Sequence, residues 1–87
     1  MEIKFFSKIY RCEPILDNGR YTADYEEVLF DSRVFSLSDN RCSLEDVHQY
    51  VCGLLREFSV SYPCGRYRVS TVQCRVKRFR SSYIIIS

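Results

Sequence analysis

No apolar run in this 87-residue chain is longer than Tyr83-Ile84-Ile85-Ile86, far below the ~20 residues that a membrane-crossing helix needs. The start, Met1-Glu2-Ile3-Lys4-Phe5-Phe6-Ser7-Lys8, is acidic at its second position and lacks the apolar core of a secretory signal. A soluble, cytoplasmic protein with no membrane association is the expectation. Glycine is scarce. Gly19, Gly53 and Gly65 stand too far apart for a phosphate-cradling loop or a dinucleotide fingerprint. No G-x-S-x-G elbow is present. Cys12, Cys42, Cys52, Cys64 and Cys74 include no C-x-x-C pair, and their odd number leaves a thiol over in any disulfide scaffold. Reduced thiols, several of them acting as small core hydrophobes, are the simpler reading. His48 and Cys52 sit at i, i+4, but a zinc site needs two further ligands. Neither a metal nor another cofactor is therefore expected. The neighbours Glu26 and Glu27 fall on a strand pattern and should point to opposite faces, a geometry unsuited to shared acid–base work. No catalytic residue can be assigned, and the chain is read as a non-enzyme.

Acid is also missing from the last third. Residues 61–87 carry Arg66, Arg68, Arg75, Lys77, Arg78 and Arg80 and no carboxylate, whereas residues 1–60 hold seven basic and eleven acidic side chains. Asp17, Asp24, Glu26, Glu27 and Asp31 are concentrated in the first third. The net charge of +2 thus conceals two regions of opposite sign. Such division favours a partner of defined polarity, protein or nucleic acid.

What is present describes one domain, residues 1–87. A hydrophobic content of 46% with 28% charge suits a small globule and excludes disorder. Ile3 to Tyr10 alternates with a period of two, and Pro14 is expected to end that strand. Asp17-Asn18-Gly19 is the strongest turn signal and predicts a hairpin into a second strand over about Arg20–Phe30. Val34–Leu37 then reads either as a third strand or as the end of a long second one. Ser38-Asp39-Asn40 reads as loop. Ser43, with Asp46 three residues on, forms a capping pattern for a helix over Ser43–Phe58. Leu44, Val47, Val51, Leu54, Leu55 and Phe58 make its apolar stripe. His48 lies at the stripe's edge and is read as a boundary residue. After Tyr62-Pro63-Cys64-Gly65 the alternation changes parity between Thr71 and Val72, which predicts a bulge or bend near Ser70–Val72, or else a long strand buried on different faces at its two ends. Lys77–Ser82 is expected as a basic turn and Tyr83–Ile86 as a last strand. The order β-β-(β)-α-β-β gives an α+β fold, an antiparallel sheet of four to five strands with one helix across a face.

Thirteen aromatics, seven of them Tyr, exceed what so small a core requires. Tyr and Arg dominate interface hot spots, so Tyr21, Tyr25 and Tyr67 are taken as aromatic anchors beside the acidic and basic groups. Arg66-Tyr67-Arg68 and Lys77-Arg78-Phe79-Arg80 interleave cations with aromatics, a pattern that also suits RNA or DNA. In size, in the Ile3–Tyr10 strand, the Asp17-Asn18-Gly19 hairpin, the capped Ser43–Phe58 helix and the closing strands, the chain resembles the small phage-encoded anti-CRISPR inhibitors. That resemblance implies stoichiometric binding to a CRISPR effector complex in the host cytoplasm and blockage of nucleic-acid recognition or cleavage. The expected function is accordingly binding of a protein partner, as a monomer or homodimer, with nucleic-acid binding through the basic carboxy-terminal region as the alternative.

Overall fold

A computed structural model describes residues 3–38, 42–57 and 62–87. Four strands and one helix follow in the order β1 (Ile3–Asp17), β2 (Arg20–Leu37), α1 (Leu44–Glu57), β3 (Gly65–Gln73) and β4 (Arg78–Ile86). The sheet runs β2-β1-β3-β4 and every neighbouring pair is antiparallel. This is the expected α+β class with four strands.

The Asn18-Gly19 hairpin forms as its sequence demands. Both residues take positive φ, 51° and 78°, the backbone that a tight turn between right-twisted strands requires. The strands on either side are longer than expected. Pro14 does not end β1, which continues to Asp17. The ladder with β3 stops at Cys12, so beyond it β1 pairs on one side only, and a missing N–H on the other side leaves no bond unmade. Val34–Leu37 is the end of one long β2.

Ser43 caps the helix. Its hydroxyl accepts from the Asp46 amide at 3.2 Å, and the Asp46 carboxylate accepts from the Ser43 amide at 2.9 Å. Those hydrogen bonds hold the Asp46 carboxyl below its usual range. The helix packs on one sheet face, where Val51, Cys52 and Leu55 meet Ile9, Tyr67, Val69, Ile84 and Ile86. Each such side chain contributes about 1.5–3 kcal/mol on full burial. The expected loop residues Asp39 and Asn40, and Phe58 at the helix end, lie outside the described residues.

Two expectations in the second half are corrected. β3 carries no bulge: its pairing is continuous with β4 from Gly65 to Gln73 and with β1 from Arg66 to Gln73. Tyr67, Val69 and Thr71 face the helix, while Val72 faces the opposite side. The parity change marks the end of the strand, because Cys74–Lys77 is the turn and its Cys74 amide donates to the Lys4 carbonyl at 2.9 Å. Accordingly the basic turn is not Lys77–Ser82, since β4 already begins at Arg78. The register shifts lie in the first hairpin instead, at Ile9/Tyr10 and Pro14/Leu16.

His48 is also corrected. It is wholly buried, not a boundary residue. Its Nδ1 is 3.0 Å from Thr71 Oγ1 and its Nε2 is 2.9 Å from Ser82 Oγ, while Ser7 Oγ is 2.8 Å from the same Thr71 hydroxyl. Three strands are thus tied to the helix through one ring. Burial lowers the imidazole's pKa, so the ring is held neutral. Cys52 Sγ lies 3.7 Å from Nε2, and burial pushes its thiol up, opposite to what an activated nucleophile needs.

Candidate binding surface

One helix cannot cover both faces of a sheet, and the second face of this one is open among the described residues. Strand register determines what that face displays, because directly paired residues point to the same side. Val34, Phe6, Val72 and Phe79 form the first cross-strand row; Ser32, Lys8, Ser70 and Ser81 the second. Leu29, Tyr10, Arg68 and Tyr83 make the third, and Glu27, Cys12, Arg66 and Ile85 the fourth. Ile85 is 75% exposed and Phe79 71%. Few small soluble domains leave such a set uncovered without a use for it.

The cations on this face are held by aromatic rings. The Arg66 guanidinium lies 4.5 Å from the Tyr83 centroid and 5.4 Å from that of Tyr25. Arg68 lies 4.6 Å from the Tyr10 ring, and Lys8 Nζ 5.5 Å from that of Phe6. Arg68 additionally donates from Nε to both Glu27 carboxylate oxygens at 3.0 and 2.9 Å, with Nη2 2.9 Å from one of them, and from Nη1 to Ser81 Oγ at 3.3 Å. Its donors are therefore engaged. Arg66 keeps its planar fork free of any carboxylate among the described residues.

The expected site residues separate into several places. Asp17, Asp24 and Glu26 lie with exposed Tyr21 and Tyr25 on the part of the first hairpin that projects beyond the β3 ladder. We call this projecting part, residues 13–26, the arm. Arg75, Lys77 and Arg78 lie at the other end, at the β3–β4 turn. Twelve residues of extended strand, about 40 Å at 3.3 Å each, separate the level of Phe5 from Asp17, in a molecule 53 Å long. The two charge groups thus occupy opposite tips. Between the tips the charges interlock. Glu27 pairs with Arg68 on the open face, Arg80 with Glu45 of the helix at 3.1 Å, and Asp31 with Arg33 at 3.7 Å while accepting from Tyr62. Glu27 and Asp31 are consequently not part of a common acidic face with Asp17, Asp24 and Glu26.

Tyr67 is not an anchor. It is completely buried, its hydroxyl donates to the Pro63 carbonyl at 2.6 Å and accepts from Arg11 at 3.2 Å, and its ring meets Phe30 and Tyr62 edge-on. Its parity on β3 is that of Val69, toward the helix. Exposed aromatics of this face not counted among the expected anchors are Tyr83 and Phe79, the latter named only within the Lys77–Arg80 pattern. Both have the parity on β4 opposite to Arg78 and Arg80, and their partners on β3, Val72 and Arg68, are readable only once the β3–β4 register is known.

All five cysteines are free; Cys12 and Cys52 are buried, the rest exposed. Among the described residues no group of three His, Cys, Asp or Glu side chains could hold a metal ion. Likewise, no described helix is long and apolar enough to cross a membrane. The chain matches no protein-family model, no curated protein and no solved structure.

Proposed function

We propose that the protein is a non-enzymatic binding protein that docks a protein partner on the open face of its sheet, with the acidic arm guiding the approach. The observation that carries this reading is the make-up of that face. Exposed Leu29, Val34, Phe79, Tyr83 and Ile85 share that face with an Arg66 whose guanidinium lies against two tyrosine rings. Aromatic and arginine side chains pre-positioned among aliphatics are what strong protein interfaces use. Stacking also reduces the rotamer freedom that Arg66 would lose on binding. The arm's carboxylates suit a partner with a cationic groove, where complementary charge speeds encounter. Inhibition of a CRISPR effector complex, implied by the resemblance in size and element order, is the specific form this reading takes.

A nucleic-acid ligand is the second reading. It draws on Phe6, Tyr10 and Tyr83 lying beside Lys8, Arg68 and Arg66, an arrangement able to stack bases and meet phosphates. Neutralisation of Arg68 by Glu27 and the aliphatic rim favour protein.

Fluorescence anisotropy with labelled single-stranded RNA and DNA separates the two. Submicromolar binding that weakens steeply with salt would establish the nucleic-acid reading. Under the leading reading oligonucleotides bind weakly, and a candidate effector complex retains the wild-type chain but not the Arg66→Ala/Tyr83→Ser variant. Equal retention of both would exclude this face.

A further inference from the structure

The sheet has two edges, and they differ. β2 guards its edge with Asp24, Glu26, Glu27, Asp31 and Arg33. Charged side chains on an edge strand discourage other chains from adding to it. β4 carries Arg78 and Arg80 at its start and then Ser81-Ser82-Tyr83-Ile84-Ile85-Ile86, with no charge at all. Nothing among the described residues pairs with β4 on its outer side. A row of unmet backbone donors and acceptors on β-branched, uncharged residues is a template for another strand.

We propose that this edge pairs with β4 of a second copy, antiparallel and about a twofold axis near Ser82, making one eight-stranded sheet from two chains. Two observations select the second copy and this orientation. The first is register. With Ser82 opposite Ser82, Phe79 of each copy faces Ile85 of the other, and Ser81 faces Tyr83. The two most exposed hydrophobic side chains of β4, Phe79 and Ile85, thereby cover each other twice, once on each side of the axis. Cross-strand aromatic–β-branched pairs of this kind stabilise a ladder. The second is charge. A parallel arrangement would set the Arg75–Lys77–Arg78 turn of one copy beside the same turn of the other, about one strand spacing away, where like charges repel. The antiparallel arrangement places each basic turn at the end of the partner from which the acidic arm projects. It also makes the open faces of the two copies continuous, so a partner docking as proposed above would meet a doubled surface. The dimer does not depend on that docking.

Light scattering on a sizing column, across micromolar to millimolar protein, tests this directly. The expected result is a concentration-dependent mass of two chains. Alternate residues of an antiparallel edge strand turn their N–H outward, so Arg80→Pro and Ser81→Pro each remove one donor, one from the β3 ladder and one from the free edge. Whichever variant keeps the wild-type circular dichroism should be monomeric. Ile85→Lys, at a largely exposed position, should also fold and be monomeric. Val34→Ser/Leu29→Ser, on the open face but at the far side of the sheet, should still dimerise. A wild-type monomer at every concentration would overturn the proposal. So would a dimer that survives both edge changes in folded protein, or one abolished by the Val34/Leu29 change, which would indicate face-to-face stacking.

Discussion

Arg68 on β3 and Glu27 on β2 meet over the intervening β1, the guanidinium donating from Nε to both oxygens of the carboxylate while Nη2 lies 2.9 Å from one of them. Glu27 is the register partner of Cys12 and Arg68 stacks on Tyr10, so the pair fixes β2 to β3 although β1 lies between them. It neutralises one cation of that face and leaves Lys8 and Arg66 as cations beside it.

Breaking that pair should loosen the sheet modestly. Both side chains are about one-quarter to one-third exposed, so solvent screens them, yet the two-pronged geometry exceeds that of an ordinary surface ion pair. Arg68→Ala and Glu27→Ala should each cost about 1 kcal/mol, and the double variant about the same as either alone. Urea unfolding of the three proteins measures the coupling. A strictly additive double variant would show the pair to be energetically idle.

His48 gives the protein a pH dependence. Its folded-state pKa lies below the unfolded value because burial disfavours the imidazolium. The unfolded chain therefore binds the proton more readily. The contribution of neutral His48 is complete above the unfolded pKa of about 6.5 and is lost as pH falls from there toward the lower folded value. Thermal melts between pH 7.5 and 5, at intervals of about half a unit, should show Tm falling with acidity, over and above any carboxylate effect. In His48→Leu the slope across this window should shrink, while the bonds to Thr71 and Ser82 are lost at about 1–3 kcal/mol. An unchanged slope in that variant would assign the effect elsewhere.

The turn between β3 and β4 bears strain on its cations. Arg75 and Lys77 hold φ values of 76° and 54°, a region that costs a side-chain-bearing residue about 1–2 kcal/mol. Part of that is returned when glycine, with its greater unfolded freedom, is substituted. Lys77→Gly should therefore raise stability by about 0.5–1 kcal/mol, read from the denaturation midpoint. If the turn's charge serves binding, the same variant binds its partner more weakly while melting later.

Which parts of this architecture were legible in the sequence follows from how local their causes are. The Asn18-Gly19 turn and the Ser43–Asp46 cap are decided within four residues, and both form where expected. The helix stripe is likewise local, and Val47, Val51 and Leu55 are buried. Pro14 misled because its effect depends on whether a third strand passes alongside, which is a tertiary matter. His48 misled because a histidine at a stripe's edge is buried only if strands supply partners, and Ser7, Thr71 and Ser82 come from three of them. Tyr67 and Tyr83 show the limit most clearly. Both are tyrosines in alternating strands next to arginines, yet Tyr67 pairs with Ile84 and points to the helix, whereas Tyr83 pairs with Arg68 and points away. Only register separates core from surface there. The charge division was legible as composition, and the fold places its two ends at opposite tips while neutralising its middle.

The arm should behave as a separate unit of stability. Among the described residues the hairpin beyond Cys12 has no third strand beside it and no helix over it, and from Pro14 to Glu26 it is exposed throughout. A two-stranded ribbon is marginal in water by itself. This one is supported by the turn, by Thr22 donating to the Ile15 carbonyl at 3.0 Å, and by Tyr25 lying against Arg66 at its base. Amide hydrogen exchange should accordingly find the arm opening at low free-energy cost, while Ile9, Val69 and Ile84 exchange only with near-global unfolding. Reversing Asp17, Asp24 and Glu26 to Lys should leave Tm within about 2 °C, because none of the three forms an ion pair among the described residues. The same change should slow association with a cationic partner by tenfold or more at low salt, an effect on the on-rate and not on the lifetime of the complex. Arm amides as protected as those of the sheet would show that something outside the four-stranded ladder holds the ribbon down. In that case the acidic tip would be part of a rigid interface and not a mobile guide.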